Sequence, residues 1–125
     1  MAQPLIFVPA AKGNGNIAYV IGLASRWTLA FVRIHFARTG SGTDTAALTF
    51  DIDNDLGSEW DTRIWTHTTP EGSTPGVGSD VNLCPGDTEL ARWTFEPWQK
   101  LVINWANPDS PEITWGLEAA VRLAE

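Results

Sequence analysis

Hydrophobic and polar positions alternate with a period of two along much of this chain, and no long segment repeats every 3.6 residues. The clearest case is "EITWGLEAAVRL" at 112–123. There Ile113, Trp115, Leu117, Ala119, Val121 and Leu123 alternate without error with Thr114, Gly116, Glu118, Ala120 and Arg122. Such a pattern predicts a strand with one face on a core. "KLVINWA" at 100–106 sets Leu101, Ile103 and Trp105 on one face. "AALTFDID" at 46–53 sets Leu48, Phe50 and Ile52 inward against Thr49, Asp51 and Asp53. "IAYVIGLA" at 17–24 reads as a strand broken or bulged at Gly22.

Two segments alternate less simply. In "RWTLAFVRIHFAR" at 26–38, Val32, Ile34 and Phe36 share one face, and Arg33 and His35 the other. Trp27, Leu29 and Phe31 fall on that second face too, so the first half of the strand is apolar on both sides. Either a bulge reverses the pleat or another element covers the outer face. In "EWDTRIWTH" at 59–67, Trp60, Thr62 and Ile64 face one way and Asp61, Arg63 and Trp65 the other. "TGSGTDT" and "NPDSP" read as turns, and "TTPEGSTPGVGSD" at 68–80 as an irregular surface loop.

About seven or eight strands at this spacing, with no strand–helix–strand rhythm, predict an all-β fold: a single antiparallel β-sandwich, jelly-roll-like. There is no internal repeat. The domain is expected over 17–125, after an N-terminal arm and loop at 1–16. That arm carries the apolar run Leu5, Ile6, Phe7 and Val8 before the flexible "AKGNGN". It either adds a strand to a neighbour's sheet edge or forms the first strand of its own sheet.

Composition narrows the partners. The 125 residues carry a net charge of −7, which disfavours nucleic acid as a partner, since phosphate binding needs a basic face. Between Arg38 and Arg63 there are six acids and no base, an edge suited to solvent or to a basic partner patch. One cysteine, Cys84, excludes an internal disulfide and suits assembly in a reducing cytoplasm. The N-terminus has no basic n-region, so a soluble chain starting where it is written is expected, with no membrane partner. Seven tryptophans are a heavy load; most are expected in the core.

Candidate chemistry is sparse. "DIDNDLGSEWD" at 51–61 puts Asp51, Asp53 and Asp55 at the first three ligand positions of a calcium loop. Leu56 then stands where glycine is required and Thr62 where the bidentate glutamate belongs, so the stretch reads as a solvated hairpin end. His35 and His67 have no ligand-spaced companions for zinc. No Gly-x-Ser-x-Gly occurs, and "GNGN" lacks the rest of a phosphate loop. Neither a catalytic constellation, a cofactor nor a metal is expected; the chain is predicted not to be an enzyme.

The C-terminal third carries a resemblance. Trp105, then the turn Asn107, Pro108 and Asp109, then Trp115, Gly116, Leu117 and Glu118 resemble the ending of small β-sandwich structural proteins of tailed-bacteriophage virions. "WTLAFVRIHF" followed by "ALTFDIDNDLGSEWDTRI" resembles the same pattern, so the likeness spans about three quarters of the chain. It implies a non-enzymatic virion component assembled in the host cytoplasm. Its expected role is capsid cement or decoration, bridging major capsid protein subunits as a homo-oligomer. A tail or head–tail joining component is the alternative, and a carbohydrate-binding module with exposed tryptophans an alternative of another class. The expected partner-binding residues are Leu5, Ile6, Phe7 and Val8 of the arm, with Trp27, Leu29, Phe31, Trp60 and Trp65.

Overall fold

The computed structural model describes residues 4–38, 44–69, 78–84 and 93–124. Among these residues ten strands follow one another: β1 (Ile6–Phe7), β2 (Ala11–Gly13), β3 (Ile17–Ile21), β4 (Trp27–Arg38), β5 (Ala46–Asp53), β6 (Thr62–Thr69), β7 (Gly78–Leu83), β8 (Thr94–Phe95), β9 (Lys100–Trp105) and β10 (Ile113–Leu123). They form two antiparallel sheets, β1-β10-β4-β7 and β3-β9-β5-β6, with β2 extending the β1 edge along β10 and β8 pairing with the start of β4.

The pairing is nested. β1 and β2 pair with β10, β3 with β9, β4 with β7, and β5 with β6. A long hairpin folded on itself in this way, its arms dealt alternately to two sheets, is a jelly roll. The sheets meet on a core built from the inward-facing alternate positions: Ile34 and Phe36 of β4, Leu48 and Phe50 of β5, Leu101, Ile103 and Trp105 of β9, and Ile113 and Leu117 of β10. The segment at 5–13 is paired with β10, Ile6 opposite Val121 and Phe7 opposite Ala120, so it forms an edge of its own chain's sheet.

The apolar half of β4 is resolved by a bulge. Leu29 opposes Val121 and Phe31 opposes Ala120, leaving Ala30 as an extra residue in β4. The extra residue reverses the pleat. Trp27 and Leu29 therefore point inward, as Val32, Ile34 and Phe36 do further on, and both are essentially fully buried. Trp27 stacks on Phe95 of β8 at 4.2 Å between ring centroids. This corrects the expectation that a neighbouring molecule covers this half-strand: its own sandwich does so. Phe31, on the outer face, is itself buried, with Phe7 edge-on at 5.9 Å and the Arg33 guanidinium 4.3 Å above its ring.

A second bulge lies in β6. Phe50 opposes Trp65 and Asp51 opposes Arg63, so Ile64 is extra. Arg63 and Trp65 are thereby separated: Arg63 reaches Asp51, and Trp65 turns to the rim of the core, edge-on to Phe50 at 5.0 Å. Trp60, read from alternation as a strand residue, instead ends a short 3-10 turn, Ser58–Trp60, before β6 begins.

Candidate interaction surface

The two ends of the sandwich are built differently. At one end lie the β2–β3 and β9–β10 connections. Asn107 is their hub: its backbone N–H donates to Asn16 Oδ1 at 2.8 Å and its amide nitrogen donates to the carbonyls of Asn14 and Ile113 at 3.0 and 2.9 Å. Trp115 Nε1 donates to Gly15 O at 2.9 Å. Asp109 forms an ion pair with Arg38, whose side chain is only 2% exposed. Most of the "NPD…WG" residues that carried the phage-virion resemblance therefore have a demonstrable task inside the molecule, closing this end.

The opposite end is assembled from the 3–4, 5–6 and 8–9 connections, joined in a chain of contacts. Arg26 pairs with Glu96 at 3.1 Å; Gln99 folds back on Glu96; its amide donates to Asn54 Oδ1 at 2.8 Å; and Asn54 donates to Trp60 O at 3.1 Å. Gly57, at φ 112, occupies a backbone region that favours glycine and sets up the 3-10 turn. These contacts hold the backbone but leave three large apolar side chains outside it. Leu56 is 71% exposed, Trp60 61% and Trp98 60%. Such exposure is unusual for tryptophan, whose indole ordinarily finds cover.

Acids are close to the three along the chain: Asp55, Glu59 and Asp61 lie in the 5–6 connection, Asp53 ends β5, and Glu96 stands two residues before Trp98. Asp53 accepts the N–H of Asp55 at 2.8 Å, which shapes the turn. Asp51 is engaged by Arg63, Nε to Oδ1 at 2.9 Å; that hydrogen bond, then the carboxylate's charge, raises the guanidinium pKa. Among the described residues no group of three His, Cys, Asp or Glu side chains is placed to hold a metal.

The expected partner-binding residues thus divide. Trp60 stands exposed at the tip. Leu5, Ile6 and Phe7 are exposed along β1, and Val8 is half-buried against the core. Trp27 and Leu29 are interior, Phe31 is buried on the outer face beneath Phe7 and Arg33, and Trp65 is half-buried. Leu56 and Trp98 were missed. Trp98 could have been found: Gln99 N–H donates to Glu96 O at 3.0 Å across "EPWQ", a four-residue turn whose third side chain is turned away from the sheet. Proline at the second position of a turn is the visible signal.

No family model matches the chain, and no curated protein matches it either. A solved chain from desmodium yellow mottle tymovirus overlaps 97% of this chain and 87% of its own length, at a TM-score of 0.43 and 12% identity. An overlap at this level leaves fold and function to be argued from the chain's own geometry. The strand pairing does so for the fold.

Proposed function

We propose that this protein is a structural component of a virus particle, a capsid cement of tailed-phage type, which docks on a basic surface of the shell protein through the Leu56–Trp60–Trp98 tip. The observation that carries this reading is the tip itself. Two indoles and a leucine stay in water on a backbone that is held in place, in connections rich in carboxylates. Rigid aromatic anchors inside a charged rim are the usual anatomy of a protein–protein hot spot. The resemblance in the C-terminal third supplies the phage context, and a fold shared by capsid and other proteins is compatible with it but decides nothing alone.

The mechanism is burial of the anchors with electrostatic steering by the rim. Truncating a hot-spot tryptophan costs about 2 kcal/mol or more, so loss of either indole weakens docking about 30-fold. Acid-to-base steering is screened by salt and acts mainly on the association rate.

The test is co-sedimentation of the purified protein with separately prepared heads and tails, with tryptophan fluorescence as a second readout. Binding to heads that is quenched on docking, weakened by salt and lost in Trp60→Ala/Trp98→Ala supports the proposal. Binding confined to tails moves the protein to the tail. Binding to neither sinks the reading.

A further inference from the structure

The outer face of the β1-β10-β4-β7 sheet carries a hollow of about 570 Å³, within the size range of small-molecule sites. Strand register explains it. Gly116 of β10 stands directly between Lys12 of β2 and His35 of β4, and His35 stands opposite Asp80 of β7. Every other member of this cross-strand row bears a long or charged side chain. At Gly116 there is none, and a Cβ built there would meet nothing within 4 Å. Lys12 and His35 are two strand spacings apart, about 10 Å, so the gap between them admits one six-membered ring.

The walls have distinct chemistry. His35 is held by Asp80, and Arg33 pairs with Glu118 at 3.3 Å, so each already has a partner within the sheet. Lys12 has no acidic partner among the described residues, although the chain as a whole carries −7. The remaining lining is Gly13, Asn14, Thr114 and Trp115. The Trp115 indole packs from the inner face against the core and is fixed by its bond to Gly15 O, so the strand beneath the hollow is held in place. An unmatched ammonium and neutral polar groups around a ring-sized gap select a ring that bears both hydroxyls and a carboxylate.

We propose that this hollow binds a sugar acid, a uronate-type unit whose carboxylate meets Lys12 and whose ring lies over Gly116. This site is separate from the loop tip, and its test needs no virus particle. The ¹⁵N-labelled protein is titrated with di-galacturonate and, in parallel, with the neutral disaccharide of galactose, following the amide signals of Lys12, His35 and Gly116. Di-galacturonate is expected to move those signals at millimolar concentration, and the neutral sugar to bind about tenfold more weakly, the worth of one charge-assisted contact. Lys12→Ala removes that difference. Gly116→Val, whose Cβ would meet nothing within 4 Å, fills the gap and abolishes binding; circular dichroism checks that the sheet is intact. If Gly116→Val does not fold, Lys12→Ala at an exposed position decides alone. No movement with di-galacturonate, equal affinity for both sugars, or binding that survives in folded Gly116→Val overturns the proposal.

Discussion

The two ends of this sandwich use similar residues to opposite effect. At the Asn107 end, asparagine, aspartate, glycine and tryptophan are turned on one another: Asn107 ties the β2–β3 connection, Asp109 meets Arg38, and Trp115 reaches Gly15. At the Trp60 end the same residue types hold the backbone through Asn54 and Gln99, while Leu56, Trp60 and Trp98 are left in solvent. Composition does not tell these ends apart. Whether a side chain finds a partner inside the chain does. One end is finished by the protein alone, and the other leaves two indoles and a leucine in water.

That contrast can be broken experimentally, starting with the largest effect. Asp109→Ala strips a carboxylate from an almost fully buried guanidinium, and is expected to lower the unfolding free energy by about 3 kcal/mol in urea titration. Asn107→Ala, which removes hydrogen bonds from two connections at once, should cost about 2 kcal/mol by the same measurement. Trp60→Ala/Trp98→Ala should stay within about 0.5 kcal/mol of the parent, since neither indole is covered. A loss comparable to Asn107→Ala at the tip would mean that these indoles serve the fold, and the comparison between the ends would fail.

The smallest effect is in pH. Burial raises the Tyr19 hydroxyl pKa above its ordinary 10.0, and the hydroxyl donates to Pro9 O, linking the β3 edge to the β1–β2 segment. A folded-state value above the unfolded one gives a contribution present in full below pH 10.0 and lost as pH rises through the folded value. Urea midpoints of the parent should therefore fall in that alkaline window more than those of Tyr19→Phe, in which this titration is absent.

Much of the fold is legible in the chain. The alternation of 113–123 and the inward faces of Leu101, Ile103 and Trp105 are observed as strands, with Ile113, Leu117, Ala119 and Val121 buried, Trp115 half-buried and Leu123 exposed at the strand's end. The bulge expected as one explanation of the apolar half of β4 lies at Ala30. The tip is less legible, for a physical reason. Alternation reports which face of a strand is wet, and it has no meaning at Trp60 in a 3-10 turn or Trp98 in a proline turn. There the exposure depends on loops far apart in sequence, joined by Gln99 and Asn54. The Gly116 hollow is similar: a glycine among outward polar positions is unremarkable until register sets Lys12 and His35 on either side of it.

The winding of the strands has one more consequence. The winding brings β1 against the far end of β10, Ile6 opposite Val121, and β10 runs to the pole of the exposed indoles, where the Ala124 N–H is bonded to Arg26 O at 2.9 Å. A fluorescent label attached at Ala124 would therefore sit at the pole proposed to dock, and would report on anything that covers it.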